Sequence, residues 1–302
     1  MHIPVLLNEV IKYLEPKPNE NFLDATFGEG GHAAKILEKT QPKGKLLGIE
    51  RDPVLYKNVI LGLTQFRIAN PQFSERLILI NDSYVHLETI VKAKQFQPLQ
   101  GILFDLGMCS WQIDDSSRGF SYLKDEPLDM RFNPQESLTA AEIVNFWPEE
   151  EIEQILKIYG EERYSRRIAQ IIKEERRKHR IVGTQELLKI IEKAVPKNYE
   201  HHRLSPGTRT FQALRIAVNN ELENIKLGLE QALRVLQPQG RIVVISFHSL
   251  EDRIVKNFFR EQSQAKKITI LTKKPITPSS KELRNNSRSH SAKLRAALKI
   301  NS

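Results

Sequence analysis

The strongest fold signal in this 302-residue chain is the stretch Phe22-Leu-Asp-Ala-Thr-Phe-Gly-Glu-Gly-Gly-His32. An apolar run ends in an acid and a cluster of glycines, and Ala33-Ala-Lys-Ile-Leu-Glu38 then predicts a helix. Glycines let backbone N–H groups approach a ligand, and a helix N-terminus carries partial positive charge. The stretch therefore predicts either a nucleotide-type binding loop or a tight structural turn. Gly28-x-Gly30-x-x-Ala33 also fits the dinucleotide fingerprint, but the acid four residues before the first glycine points away from it.

The composition is that of a globular protein with a packed core, because hydrophobic residues make up 40% of the chain. The single cysteine excludes an intrachain disulfide and a cysteine-based zinc site, and it suits a reducing cytoplasm. The first nine residues lack a basic segment and a long apolar run, so we expect no signal peptide. No apolar run approaches about 18 residues, which predicts no membrane-spanning helix.

The formal net charge is +9, which favours polyanionic partners. Much of the positive charge lies in two segments. Residues 266–299 carry ten Lys and Arg against one acid, and residues 163–180 carry eight basic residues. These blocks predict either contact with RNA or a solvated helix face with a loose tail.

Short apolar strands alternate with helices in the first third of the chain. The predicted strands are 21–27, 45–50, 77–82 and 101–107, and the predicted intervening helices include 53–63 and 84–93. This alternation predicts an α/β fold with a parallel sheet covered on both faces.

The strand pattern stops after strand four and resumes near the C-terminus. Residues 110–133 have the polarity of a loop, and helices are predicted at 139–146, 149–159, 162–178 and 184–194, with Thr184 as an N-cap. We therefore predict an inserted helical domain, 113–206, within a sheet domain formed by 1–112 and 207–302.

The last part of the chain returns to the sheet. A long helix is predicted at 210–236, and its apolar face is either core or a dimer face. Strands are predicted at 241–247 and 267–272, with Ser249 as the N-cap of the helix between them. An apolar segment within 291–300 is expected to close the sheet as an antiparallel strand.

Three acids stand near strand ends, where ligands bind in open α/β sheets. Glu50 follows Gly28 by 22 residues and either accepts the ribose hydroxyls of an adenosine-containing cofactor or caps the helix at Pro53. Asp82 precedes Tyr84, which either stacks on an adenine ring or lies in a plain surface turn. Asp105 is delivered by strand four into a glycine-containing loop. Since burying a carboxylate there costs several kcal/mol, Asp105 is the leading catalytic candidate.

Seven motifs together resemble those of the MraW-type methyltransferases, and the resemblance runs from His2 to about Arg295. They are Asp24-Ala-Thr-Phe-Gly-Glu-Gly-Gly-His32, Gly101-Ile-Leu-Phe-Asp-Leu-Gly107, Arg118-Gly-Phe-Ser121, Pro127-Leu-Asp-Met-Arg131, Tyr159-Gly-Glu-Glu162, Thr208-Arg-Thr-Phe-Gln-Ala213 and Ile245-Ser-Phe-His-Ser-Leu-Glu-Asp-Arg-Ile-Val255. The resemblance implies a Rossmann-like class I S-adenosylmethionine methyltransferase sheet with an inserted all-helical domain. It also implies methylation of N4 of a cytosine in the decoding region of 16S ribosomal RNA, either naked or within the small ribosomal subunit.

The same resemblance implies which residues contact S-adenosylmethionine: Gly30, Gly31, His32, Glu50, Tyr84, Asp105 and Gln112. Three positions depart from the usual family pattern. Glu50 stands where aspartate is common, Tyr84 stands where phenylalanine is common, and Met108-Cys-Ser-Trp111 replaces a Val-Ser-Ser-Pro-like run.

The chemistry needs the methyl group aligned with the cytosine amino nitrogen at about 3 Å. We expect Asp105 to accept a hydrogen bond from that amino group, with no metal required. An extruded base needs an aromatic partner, for which the candidates are Trp111, Phe120 and Tyr122. Candidate phosphate contacts are Arg118, Arg131, Arg163, Arg166, Arg167, Arg209 and the basic C-terminal segment.

Three other interpretations of the function remain open on the sequence alone. Gly28-x-Gly30-x-x-Ala33 permits an NAD-dependent dehydrogenase, although no hydride-transfer acid/base set accompanies it. A non-enzymatic RNA-binding module is the second alternative. The third is a cytosine-C5 methyltransferase with Cys109 as nucleophile, for which the usual Pro-Cys context is missing.

Overall fold

The computed structural model describes residues 4–69, 75–202 and 204–301, and the side chains of 63–69 and 202 lie outside this description. The chain divides into two compact units. The first, the sheet unit, is Met1–Gly107 with Leu222–Ser302, and the second, the helical unit, is Met108–Glu221. The limits expected for the inserted domain, 113–206, lie inside the helical unit.

The strands are β1 Phe22–Asp24, β2 Leu46–Glu50, β3 Leu77–Asn81, β4 Gly101–Asp105, β5 Arg241–Ser246, β6 Ile268–Ile270 and β7 Lys293–Lys299. The helices are α1 Leu7–Leu14, α2 Gly31–Lys39, α3 Pro53–Ala69, α4 Leu87–Ala93, α5 Ser110–Asp114, α6 Ala140–Phe146, α7 Glu149–Tyr159, α8 Ser165–Arg176, α9 Thr184–Ala194, α10 Gly207–Asn219, α11 Glu221–Val235, α12 Ser249–Gln264 and α13 Ser280–Asn285. Short 3₁₀ segments are Tyr84–His86, Tyr199–His202 and Ser287–Ser291. The structure contains, in the ranges it describes, no helix long and apolar enough to cross a membrane.

One seven-stranded sheet organises the sheet unit, in the order β3-β2-β1-β4-β5-β7-β6. The five strands from β3 to β5 are parallel, and β7 pairs antiparallel with both β5 and β6. The predicted parallel sheet and its antiparallel closing strand are therefore confirmed. Parallel strands in register bring their carboxyl ends to one edge, where β1, β2 and β4 end in Asp24, Glu50 and Asp105.

Both faces of this sheet are covered, as the apolar strands predict. Successive side chains of β4 pack into two different hydrophobic clusters, one on each face of the sheet, because side chains alternate between the faces of a strand. Ile102 and Phe104 belong to one cluster of buried side chains. Leu103 belongs to a second cluster, with Phe22 and Leu46.

The helical unit has a core of its own. Helices α6 to α10 contribute buried residues such as Ile143, Leu156, Ile172 and Leu187. Among the described residues of this unit, β-structure is limited to one isolated bridge between Pro127 and Gly183. The described residues of 138–206 form no strand, as the sequence predicts.

The long helix predicted at 210–236 is wrong, since α10 and α11 are separate helices. Asn220 stands between them with φ 50° and ψ 39°, in the left-handed region. Asparagine is one of the few non-glycine residues that adopts this conformation readily, and the residues near it in the chain include neither glycine nor proline to signal a break.

Three smaller expectations are also corrected. The polar stretch 110–133 contains a helix, α5. The N-cap of α12 is His248 rather than Ser249, because His248 and Glu251 form a capping box. The N-cap of α9 is Gly183 rather than Thr184. The Thr184 hydroxyl instead donates to the Lys124 carbonyl oxygen at 2.7 Å and accepts from the Glu126 N–H at 3.0 Å.

Candidate active site

The glycine loop joins β1 to α2 and is shaped by residues with positive φ. Gly28 has φ 54° and Gly30 has φ 80°. A Cβ on Gly30 would approach the Phe27 ring to 2.8 Å, and one on Gly31 would approach Pro4 to 2.5 Å. No side chain caps α2, whose N-cap is Gly30. The first N–H groups of this helix are therefore available to an anionic group.

Glu50 ends β2 and ties the loop to the sheet. Its Oε2 accepts from the Gly28 N–H at 2.9 Å, and its Oε1 accepts from the Asp52 N–H at 2.8 Å. Burial raises the pKa of Glu50 to about 7, even though these two hydrogen bonds favour the carboxylate. Each carboxylate oxygen keeps a second lone pair, so the group can still accept from a ligand hydroxyl.

The side chains of His32 and Asp105 lie close to each other. Nε2 of His32, on the first turn of α2, is 3.5 Å from Oδ2 of Asp105 at the end of β4. Burial lowers the pKa of His32, but the neighbouring Asp105 carboxylate outweighs it, and the pKa is raised overall. Asp105 Oδ1 and both ring nitrogens of His32 are buried without a hydrogen-bond partner in the described structure. Buried polar atoms of this kind are rare in native proteins, and a ligand or an ordered water can supply the partner.

Asp24 and Thr26 belong to this site, and neither was singled out as a site residue from the sequence. Burial raises the pKa of Asp24 to about 6, while His32 acts in the opposite direction. The Thr26 hydroxyl oxygen accepts from the Asp105 N–H at 2.7 Å and so fixes the backbone of the catalytic candidate. The position of Asp24, at the end of an apolar run before the glycines, was the signal that could have identified it.

Tyr84 begins the 3₁₀ segment after β3 and is partly buried. Its ring meets that of Phe104 edge-on, with centroids 5.6 Å apart. An added Cβ on Gly228 would come within 2.7 Å of the Tyr84 ring, so this glycine makes room for it. One side of the ring is thus packed, and its stacking on adenine stays a prediction.

Gln112 belongs to the helical unit and is buried there. Its Oε1 accepts from the Cys109 N–H at 2.9 Å, which completes a capping box for α5. Cys109 is the N-cap of that helix and is partly buried. The structure therefore gives both residues a role in holding α5, and the cofactor contact of Gln112 stays a prediction.

Two of the expected RNA contacts in the helical unit are wrong. Phe120 is buried and stacks on Phe132, with ring centroids 5.3 Å apart, so it offers no open face to a base. Arg118 is also buried, and its Nη1 donates to the carbonyl oxygens of Arg131 and Phe132 at 2.7 and 2.9 Å.

The other residues of this unit that were expected to contact RNA differ in whether their side chains already have partners within the protein. Arg131 is held by both oxygens of Asp129, and Arg209 donates to the Glu161 carbonyl oxygen. Tyr122 hydrogen-bonds through its hydroxyl to Thr208, and the Arg118 guanidinium lies 5.3 Å from the Trp111 ring centroid. Arg163, Arg166 and Arg167 are exposed, although Arg163 pairs with Glu200.

The sheet unit fits an adenosine-containing sulfonium cofactor at the carboxyl edge of its strands. The uncapped N-terminus of α2 suits a carboxylate, Glu50 suits ribose hydroxyls, and the unpartnered Asp105 Oδ1 suits an amino group. A sheet of this strand order, with β7 antiparallel between β5 and β6 and a glycine loop after β1, defines a class I methyltransferase.

Comparison with known proteins identifies the family within that class. Residues 1–300 match the MraW methylase family. A protein from Heliobacterium mobile named "Ribosomal RNA small subunit methyltransferase H" is 45% identical over 315 residues, covering 99% of both chains. Proteins of the same name from Caldicellulosiruptor saccharolyticus and Persephonella marina are 45% and 44% identical, again over 99% of both chains. The chain belongs to the MraW methylase family.

Membership of this family makes the chain a methyltransferase and decides against the dehydrogenase and the non-enzymatic RNA-binding module. A solved structure titled as a putative rRNA methylase from Clostridium thermocellum covers 100% of this chain at 13% identity, with a TM-score of 0.49. That likeness carries no conclusion about the site.

Proposed function

We propose that this chain transfers a methyl group from S-adenosylmethionine to N4 of a cytosine in the decoding region of 16S ribosomal RNA. Three supports combine: the family, the rRNA small-subunit name shared by its relatives, and the chemistry of the sheet unit. The observation that carries the proposal is the buried Asp105 Oδ1 without a partner, beside the glycine loop and 3.5 Å from His32 through its other oxygen.

S-adenosylmethionine supplies a methyl group on a sulfonium, which is already electrophilic. The protein must therefore orient the acceptor nitrogen, whose lone pair is delocalised into the cytosine ring. Asp105 accepts a hydrogen bond from the amino group, which favours a pyramidal nitrogen with a localised lone pair. His32 Nε2 lies 3.5 Å from Oδ2 of Asp105, and we assign the unpartnered Oδ1 to the acceptor. Transfer would form the N–CH₃ bond as the S–CH₃ bond breaks and a neutral thioether leaves, and Asp105 would receive the proton that the amino group loses.

The cofactor-binding set proposed within the sheet unit consists of the helix-α2 terminus, Glu50 and Tyr84, together with His32 and Asp105. Gly31 supplies a backbone N–H group there, and Gly30, whose own N–H donates to the Phe27 carbonyl oxygen, lets the cofactor approach the backbone closely. A contact of the cofactor with Gln112 stays a prediction. No residue in this mechanism needs a metal ion. The substrate, an RNA of the small ribosomal subunit, makes the cytoplasm the compartment of the reaction.

The deciding experiment is methyl transfer to RNA. Purified protein is incubated with S-adenosylmethionine carrying a labelled methyl group and with small-subunit rRNA, either transcribed in vitro or within small subunits from a strain lacking the protein. Mass spectrometry of nucleosides should show N4-methylcytidine at a single position. Label in 5-methylcytidine would support Cys109 as nucleophile instead, and transfer to large-subunit RNA alone would remove the proposed substrate.

A further inference from the structure

A basic groove of about 610 Å³ runs along β6, at the far edge of the sheet from β3. Its apolar floor includes Phe259 of α12, Ile268 of β6 and Ile300 after β7. Phe259 and Ile268 are buried in the core below it. The groove therefore rests on side chains of the buried core.

The charge of this groove is all of one sign. Five cations line it and no acid does: Lys256, Arg260, Lys266, Lys273 and Arg295. Arg295 is neutralised by both oxygens of Asp252, at 2.6 and 3.1 Å. The other four side chains are exposed, and none forms an ion pair with a described residue. Other cations of the sheet unit do pair, as Arg234 does with Glu88 and Arg241 with Glu15.

The edge strand adds backbone groups to this charge. Ile300 N–H donates to the Lys267 carbonyl oxygen, and Leu271 N–H donates to that of Ala296. In an antiparallel pair the bonded positions alternate, so the N–H and C=O groups of Ile268 and Ile270 point away from β7. An exposed strand edge of this kind can bind an added peptide strand, or it can bind an anion through its N–H donors. Because four unpaired cations and no acid line the groove, a polyanion is favoured over a peptide strand.

We propose that this groove, lined by Lys256, Arg260, Lys266 and Lys273, binds the phosphodiester backbone of RNA that flanks the target cytosine. The inference rests on the proposed RNA substrate. Two strands separate β6 from β4, so the edge lies about 14 Å from the strand that ends at Asp105. A single strand with its target base at Asp105 can reach that edge with nearby nucleotides. The contacts are to phosphates and therefore carry no sequence preference.

The test compares two fourfold variants with equal loss of charge. The groove variant is Lys256→Gln, Arg260→Gln, Lys266→Gln and Lys273→Gln. The control variant is Lys12→Gln, Lys39→Gln, Lys43→Gln and Lys94→Gln, which removes exposed cations of the same unit outside the groove. Binding to an in vitro transcript of small-subunit rRNA is measured between about 50 and 200 mM salt, and cofactor affinity is measured without RNA.

The groove variant should bind RNA at least about tenfold more weakly at the lower salt concentration. The slope of log affinity against log salt concentration should be less negative by up to about 3. Each contact with a single-strand phosphate contributes about −0.7 to that slope. KM for RNA should rise in parallel, while cofactor affinity stays at the wild-type value. The control variant should differ little from wild type in slope and in KM.

Equal salt slopes in the two variants would overturn the inference, because the groove charges would then act no differently from scattered surface charge. So would unchanged RNA binding by a groove variant that loses binding to poly-L-glutamate, since the groove would then be a peptide site. The proposed function is judged separately. If wild-type protein methylates the RNA and only the groove prediction fails, the activity stands; if wild type transfers no methyl group to rRNA, both fall.

Discussion

At the scale of single residues, the proposed chemistry depends on the pair formed by Asp105 and His32. A buried carboxylate oxygen without a partner is costly, and the cost is offset once a donor such as an amino group arrives. Asp24 adds a second buried acid near His32 and favours its protonated form. The pair therefore places the Asp105 carboxylate beside a histidine whose pKa is raised.

Replacing Asp105 with asparagine should lower kcat by about a hundredfold or more, because the side chain then lacks the charge and basicity that assist the amino nitrogen. The measurement is single-turnover methyl transfer at saturating cofactor, with cofactor affinity determined separately. Glu38→Gln, a change on the exposed surface of α2, is the control and should leave the rate within twofold of wild type. Near-normal turnover in Asp105→Asn would remove the acceptor role.

Glu50 gives the site a pH dependence whose sign follows from its raised pKa of about 7. Ribose hydroxyls donate to a carboxylate, so cofactor binding favours the ionised form. Affinity should therefore strengthen by about tenfold from pH 6 to pH 8, as the ionised fraction rises from about a tenth to about nine-tenths. Calorimetry on wild type and Glu50→Gln separates this effect from titration of the cofactor itself. The variant should bind more weakly and lack this component, and equal pH slopes would count against the role.

The same shift affects stability in the protein without cofactor. Because the folded-state pKa lies above the unfolded value of about 4.5, the folded protein holds this proton more tightly. The contribution of Glu50 to the free energy of unfolding is therefore greatest below about pH 4.5 and falls as the pH rises to about 7.

The positions of the candidate site residues were predictable from the sequence only where they follow from the position along a strand. Glu50 and Asp105 end parallel strands, so their arrival at one edge follows from the pattern of apolar runs. The burial of Arg118 was not predictable, because its partners are carbonyl oxygens at Arg131 and Phe132, and a hydrogen bond to backbone leaves no trace in side-chain composition.

At the scale of elements, the break between α10 and α11 rests on one residue. Asn220 is exposed, has φ 50°, and its N–H donates to the Ile216 carbonyl oxygen. Local sequence predicts the helices well because their apolar spacing is regular, but it cannot mark a left-handed residue inside an otherwise helical run. Asparagine is tolerated in helices as well as in this conformation, so composition alone does not separate the two outcomes.

Asn220→Ala should lower the free energy of unfolding by about 1 kcal/mol, since alanine has no side chain to support the left-handed conformation. Asn220→Gly should be neutral or slightly stabilising, because glycine adopts it without steric cost. Urea unfolding of the full chain gives both values, and Glu230→Ala on the exposed side of α11 is the control, expected within about 0.5 kcal/mol of wild type. Equal losses for alanine and glycine would show that the side chain rather than the backbone conformation matters.

At the scale of the whole molecule, the break at Asn220 falls beside the boundary between the two units, since the helical unit ends at Glu221. Helix α10 therefore belongs to the helical unit, where Phe211, Leu214 and Val218 are part of the core. Arg215 and Glu221 form a buried bidentate ion pair there, with distances of 2.8 and 2.9 Å. The limits predicted from the sequence, 113–206, leave all of these residues outside the helical domain.

The fragment 108–221 should consequently fold on its own, and the fragment 113–206 should not. Deleting α10 exposes the side chains packed against Phe211, Leu214 and Val218, and loss of one large buried side chain alone costs about 2–5 kcal/mol, a large share of the stability of a small domain. Circular dichroism should show helix in both fragments, but only 108–221 should unfold in urea with a single cooperative transition. A cooperative transition of similar midpoint in 113–206 would mean that α10 contributes nothing essential to this core, and the boundary would then lie where composition alone puts it.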